Sequence, residues 1–316
     1  MDQFASLPIV TQFDDPAAVA AALRDASVEY LSHARGHFAA SLTSACFGPA
    51  RLQITSDGPH ISRGSIAPDR TALLFPLQPS AMRPIVNGFA LSHQDAMVLG
   101  GEAGVEGQVT TPVMWAAISF ETDALRQAIE GEAIPGAGDF VPHRLAGALA
   151  ATLSGRVREI GAVAASDPCR LIGESTQHSI ADELLGLSRR VMRAEPIDVA
   201  NLRALRRRVR LVRLADDYLA SRIGLPVYSE QLRAALGVPM RTLHDACIAV
   251  RGMSMHRYLR IWRLNLAHQA LRDGRQDGPI QVKAAALRFG FWHFGRFAQE
   301  YRALFGELPS DTARKA

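Results

Sequence analysis

Cysteine is scarce in this sequence: Cys46, Cys169 and Cys247 stand far apart, odd in number and in no metal-binding spacing. That argues against a disulfide framework or a thiolate zinc site and suits a reducing compartment. No apolar run approaches the roughly 20 residues that span a bilayer. The N-terminus MDQFASLPIV also lacks a basic segment followed by an apolar core. These absences make the cytoplasm the expected compartment and give no reason to expect a membrane partner. The groupings that carry catalysis are missing too. His60, His93 and His143 are widely spaced, and Asp57-Gly58-Pro59-His60 offers one imidazole, whereas a metal centre needs clustered His and carboxylate ligands. No Ser/His/Asp or Cys/His set stands at a convincing spacing. The glycine-rich GGEAGVEG (100–107) lacks the strand-to-helix setting of a dinucleotide site. Neither catalysis nor a cofactor nor a metal is expected.

What is present is an uneven distribution of charge. The net +4 conceals 19 Arg and 2 Lys against 9 Asp and Glu from Asn201 to Ala316, a net of +12. The first 200 residues carry 14 basic and 22 acidic groups, a net of −8. One half is suited to a polyanion and the other to something else. At 316 residues the chain is long enough for two domains, each with its own core.

The two halves also differ in periodicity. A short helix opened by Asp14, Asp15 and Pro16 is followed by apolar or alternating runs: RLQIT, HISRGSI, TALLFPL, IVNGFAL, AMVLGG and PVMWAAISF. Gly and Pro punctuate them at the 8–12-residue spacing of a sandwich or barrel. ETDALRQAIE turns helical, and from about residue 142 the helical pattern persists. Leu145, Leu149 and Leu153 fall on one face, as do Ile180, Leu184, Leu187 and Val191. RAEPIDVANL (193–202) breaks the pattern and reads as a connection. The expected fold is α+β, with a β-rich domain over 1–140, a helical segment and linker over 141–200, and an all-α domain over 201–316.

In the all-α part, Leu205, Val209, Val212 and Leu219 form a stripe surrounded by Arg206, Arg207, Arg208, Arg210 and Arg213. Further on, SEQLRAAL, Gly237-Val238-Pro239 and MRTLHDACIAVR read as helix, turn, helix, with Ser229 as the N-cap. Leu243, Cys247 and Val250 make the inner face, leaving Met240, Arg241, His244, Asp245 and Ile248 outward. The plan repeats after about 53 residues, from Gly237 to Gly290. VKAAALRF ends at Gly290, where a positive φ would stop it, and Phe294, Phe297, Tyr301 and Phe305 recur at one helical face up to Gly306. A protein only 7% aromatic has placed these rings here chiefly as core. Two copies of a helix-turn-helix joined by MHRYLRIWRLNLAHQALR say much more than one would.

These residues resemble the DNA-binding domain of the AraC/XylS family of bacterial transcription regulators. The first motif matches through Leu232, Gly237-Val238, Arg241, Leu243, Gly252, Tyr258-Leu259, Arg263-Leu264 and Ala267. The second matches through Ala285, Gly290-Phe291, Phe297, Tyr301, Arg302, Phe305-Gly306, Pro309 and Ser310. Cys247, Met255, Asp245 and Gln299 depart from the usual pattern. The strand-rich half resembles the cupin-like effector domain often joined to this tail, which makes a cupin-type metalloenzyme the alternative reading. The resemblance implies base contacts from Met240, Arg241, His244, Asp245, His293, Phe294, Arg296 and Gln299. Phe294 is balanced between a thymine methyl and the interior, with packing favoured. Arg208, Arg257 and Arg302 are the expected phosphate contacts. The resemblance also implies dimerisation through Ile180, Leu184, Leu187 and Val191, a small-molecule effector, duplex DNA and RNA polymerase as partners, and activation as the mode of control.

Overall fold

The structure is a computed structural model that describes residues 7–33, 38–129, 133–197, 199–222, 227–273 and 281–315. In chain order the strands are β1 (Ile9–Phe13), β2 (Ala26–Ser32), β3 (Ala40–Phe47), β4 (Ala50–Asp57), β5 (His60–Ile66), β6 (Arg70–Pro76) and β7 (Ile85–Val86). There follow β8 (Phe89–Ala90), β9 (Asp95–Leu99), β10 (Gly107–Val109), β11 (Val113–Glu121), β12 (Phe140–Arg144) and β13 (Glu195–Pro196). They pair, antiparallel throughout, into an eight-stranded sheet β1-β3-β4-β11-β6-β9-β12-β13 and a five-stranded sheet β2-β5-β10-β7-β8. HISRGSI is β5, and IVNGFAL folds as the β7–β8 hairpin over Asn87-Gly88, both at positive φ, as such two-residue turns require.

The eight-stranded sheet is apolar on both faces and is therefore covered on both. One face looks toward the five-stranded sheet. The other receives the helices α3 (Gly147–Ser166) and α4 (Glu174–Met192), which come after α1 (Pro16–Ala22) and α2 (Thr122–Ala128) in the chain. Asp15 caps α1, its Oδ1 accepting from the Ala17 N–H at 3.0 Å, as the Asp-Pro start foretells. Residues 140–144 form strand β12 rather than helix, so Leu145 precedes α3, although it stays in the same core as Leu149 and Leu153.

The stripe Ile180, Leu184, Leu187 and Val191 requires a correction. These residues are 3, 0, 5 and 0% exposed in the single chain and pack with Phe47, Leu52, Val98 and Ile118 of the sheet. The helical period shows that α4 has a buried face, but not what buries it, and the eight-stranded sheet supplies that cover. The stripe is core and offers nothing to a second chain.

The connection between the halves is itself anchored. β13 pairs with β12, and the Ile197 N–H donates to the Pro142 carbonyl at 2.8 Å. Asp198, within the segment read as a linker, lies outside the described residues. Then α5 (Val199–Ala220) runs between both cores: Leu202, Val209 and Val212 share a core with sheet residues such as Val109 and Trp115. Its Ala215 and Leu219 pack with the helices that follow. Two of the arginines around this stripe are tied to the β-rich half. Arg206 donates to the Phe140 carbonyl and Asp139, and Arg213 to the Glu102 carbonyl at 2.8 Å.

Leu184→Ala should lower stability in urea denaturation by about 2–5 kcal/mol, the usual cost of deleting a fully buried leucine side chain. Unchanged stability would mean that α4 does not pack as described.

Candidate nucleic-acid interface

The tail consists of α6 (Ser229–Leu236), α7 (Met240–Arg251), α8 (Met255–Asp273), α9 (Val282–Arg288), α10 (Phe294–Phe305) and α11 (Pro309–Lys315). The stops fall where glycine allows them. Gly237, Gly252 and Gly306 cap α6, α7 and α10 at φ 64, 68 and 78, and Gly290 follows α9 at φ 79. Helix α6 begins at Ser229 itself, so its N-cap is Tyr228, whose N–H donates to Gln231 Oε1 at 2.9 Å.

Helix α8 is the scaffold that both motifs share. Its first half gives Tyr258, Leu259, Ile261 and Trp262 to the core of α6 and α7. Its second half gives Leu264, Ala267 and Leu271 to the core of α9, α10 and α11, where Phe297, Tyr301 and Phe305 gather. The second core is closed by a polar chain: His268 Nδ1 lies 2.6 Å from Tyr301 Oη, and that hydroxyl donates to Thr312 Oγ1 at 2.8 Å. At 19 residues α8 is roughly 28 Å long at 1.5 Å per residue, and the two cores occupy its opposite halves.

On α7 the side chain of Arg241 is 93% exposed and forms only a loose i,i+4 pair with Asp245 at 3.9 Å. Ile248 is 46% exposed, and His244 is half-buried. Met240 is half-buried and packs partly against the first core, so only part of it reaches outward. On α10, His293 is the N-cap, and His293, Arg296 and Gln299 are exposed. Arg296 Nε donates to Glu300 at 2.8 Å, and Glu300 also meets Arg260 of α8. Phe294, expected to pack inside, is 38% exposed and outside the second core. Trp292 is 68% exposed and was not among the expected contacts, though it falls outside the 294/297/301/305 face. Arg208, Arg257 and Arg302 are all exposed.

The back of this unit is covered by the five-stranded sheet. Arg251, the last residue of α7, is fully buried and ion-paired with Glu106, which precedes β10, and with Asp216 of α5. Tyr258 Oη donates to Asp216 at 2.7 Å, and Arg63 of β5 joins through Asp216 at 3.7 Å and Glu29 at 2.5 Å. Burial pushes the Glu106 carboxyl well above the ordinary carboxylate range. Sequence reading passed over this cluster, whose one signal is a lone acid between glycines in GVEGQV.

Between the sheets lies a cavity of about 100 Å³, lined mainly by Val28, Leu74, Val86, Leu99, Val109 and Trp115. Tyr30, Thr55 and His60 supply polar groups in its lining, with the Tyr30 ring stacked on His60 at 4.0 Å. Burial lowers the His60 imidazole to about 4, so it is neutral at physiological pH. Among the described residues no three His, Cys, Asp or Glu side chains are grouped to hold a metal. Likewise, no described helix is long and apolar enough to cross a membrane.

A family model described as a helix-turn-helix domain matches residues 232–315. Over 106 residues the chain is 36% identical to the probable thc operon regulatory protein of Rhodococcus erythropolis, covering 33% of this chain and 31% of that one. It is 35% identical over 106 residues to XylDLEGF operon transcriptional activator 3 of Pseudomonas putida, covering 34% and 30%. The matched segment thus spans about a third of the length of these curated relatives. The solved structure of a probable AraC family transcriptional regulator from Rhodopseudomonas palustris is 37% identical, aligning 34% of this chain with 97% of that one at a TM-score of 0.31.

Asp57, at the end of β4 beside the cavity, gives the β-rich half a pH signature. Its Oδ2 accepts from Thr55 Oγ1 at 2.9 Å, and burial pushes the carboxyl up to about 7. A raised carboxyl favours the protonated folded state, so its stabilisation is complete below about pH 4 and is lost as pH rises through about 7. Asp57→Asn keeps the shape without the charge. Its gain in Tm over the native chain should grow between pH 5 and 7 and level off above; parallel profiles would mean that Asp57 titrates normally.

Proposed function

The chain belongs to the AraC/XylS family of transcription regulators, and we propose that it is an activator that reads duplex DNA with α7 and α10. The observation that carries this reading is the pair of exposed helix faces, Arg241 with Asp245 and Arg296 with Gln299, at opposite halves of one 19-residue helix. A recognition helix fills a major groove about 12 Å wide, and side chains near its N-terminus meet the base edges. Arg241 can bind guanine bidentately. Asp245 can accept from cytosine N4 but repels phosphate, which suits the groove floor. On α10, His293, Phe294, Arg296 and Gln299 are the base-facing set, while Arg208, Arg257 and Arg302 meet phosphate. The metalloenzyme alternative has no observation in its favour.

The cavity between the sheets fits a small, mostly apolar, uncharged effector, because its lining is hydrocarbon and its imidazole is neutral. RNA polymerase is the further partner that activation requires. Self-association, implied by the family, would use the solvent side of α3 and α4, since the apolar side of α4 is occupied by the sheet.

The full chain should bind duplex DNA with an affinity that falls steeply with salt, and selection from a random library should return an asymmetric site. Arg241→Ala and Gln299→Ala should each relax preference at a few bases, in segments about 10 base pairs apart, at a cost of roughly 1–3 kcal/mol. Arg208→Ala should weaken all sequences alike. Flat salt dependence sinks the reading, and the same bases altered by both variants would sink the placement of the two helices.

A further inference from the structure

Strand alternation makes the five-stranded sheet a wall one residue thick. Around β10, Val105, Gly107 and Val109 line the cavity, whereas Glu106 and Gln108 between them face the helical tail. In β5, His60 and Ser62 line the cavity, whereas Ile61 and Arg63 reach the helices.

What the outer side of this wall holds is the last turn of the first recognition helix. The Gly88 N–H donates to the Val250 carbonyl at 3.1 Å, satisfying one of the carbonyls that α7 leaves unpaired at its end. Arg251 reaches across to Glu106. A Cβ on Gly252 would stand 2.8 Å from Ile85 Cδ1 and 2.9 Å from Gln108 Oε1, so the wall lies directly against that glycine. The Asn87-Gly88 turn is not free to drift from Glu106. The Glu106 N–H donates to Asn87 Oδ1 at 2.9 Å, the Asn87 N–H to the Glu106 carbonyl at 2.7 Å, and Asn87 Nδ2 to the Gly104 carbonyl at 2.7 Å. The wall packs against Ala246 and Val250 of α7 in one continuous apolar core that contains Val86, Val105 and Val109. Helix α10 has its own separate core, built without the sheet.

We propose that this wall transmits the state of the cavity to the first recognition helix alone, with Arg251 as the positioning residue that sets α7 on the DNA. Whatever displaces Val105, Gly107 or Val109 moves Glu106 and Gln108 with them, because the same short backbone carries both sets. Through Arg251 and the Gly88 bond that movement reaches residues 250–252, whereas α8, which holds α10, is bonded to β2 and β5, through Asn265 to Ser32 and Tyr258 to Arg63, away from β10. The coupling rests on the DNA-binding reading only for its consequence; the movement of α7 does not depend on it.

The test uses the full chain and two ways of filling the cavity: benzene as a probe, and Ala117→Leu, whose side chain enters the same space from β11. Either should change amide hydrogen exchange at residues 246–252 severalfold and leave residues 294–305 unchanged. On a duplex selected from a random library, Ala117→Leu should shift affinity by about fivefold or more, an ordinary size for coupling between sites. The altered base preferences should fall only in the segment read by α7. Combined with Glu106→Gln, the same substitution should shift affinity by less than about twofold. Gln108→Ala, which touches the same turn, replaces Glu106→Gln if that variant melts early. Equal exchange changes in both recognition helices, no change in α7, or an undiminished Ala117→Leu effect in both backgrounds would overturn the proposal. Absence of any DNA binding would overturn the family reading instead, and the exchange arm would still decide the coupling.

Discussion

A guanidinium sealed from water costs several kcal/mol unless carboxylates meet it. Arg251 is 0% exposed, and the carboxylates that meet it come from opposite directions: Glu106 from the β-rich half and Asp216 from α5. Neither half can bury Arg251 alone. The two must therefore close around α7 together, and the remaining contacts between them follow from that closure. Tyr258 and Arg63 complete the coordination of Asp216, and Glu29 balances Arg63. Burial, with the Asp216 charge beside it, pushes the Glu106 carboxyl upward, and the Arg251 guanidinium opposes that push.

This closure divides the tail functionally. The N-terminal turn of α7 stays free, with Arg241 almost wholly in solvent, while the C-terminal turn is held by the sheet. Helix α10 has no such restraint from the sheet and depends on α8 and α11 for its position. Helix α10 is thus positioned by the tail alone and α7 by the tail and the cavity wall jointly.

Much of the architecture could be read in advance where local chemistry dominates. HISRGSI alternates and became β5; Asp15-Pro16 opened a capped helix; Gly237, Gly290 and Gly306 stopped helices at positive φ. The second core was legible because Phe297, Tyr301 and Phe305 repeat at helical spacing, and the same spacing could have excluded Trp292 from it. The short strands β10, β12 and β13 were not legible. They have at most five residues each, and their pairing partners are remote in sequence.

The sequence by itself determined the longer elements, the double helix-turn-helix and the polarity of their faces, because capping, glycine stops and hydrophobic period act over a few residues. Only the tertiary structure decided what each face meets. Ile180, Leu184, Leu187 and Val191 had a buried side whatever the fold, but burial against the sheet or against another chain gives the same periodicity. Arg206 and Arg213 read as part of a basic surface, and the carbonyls that claim them are set by how α5 crosses the sheets. Glu106 and Arg251 are 145 residues apart in the chain, and no local propensity signals a pair at that separation. Their meeting is fixed by the closure of two cores around α7, a consequence of packing that acts only once the whole chain has folded.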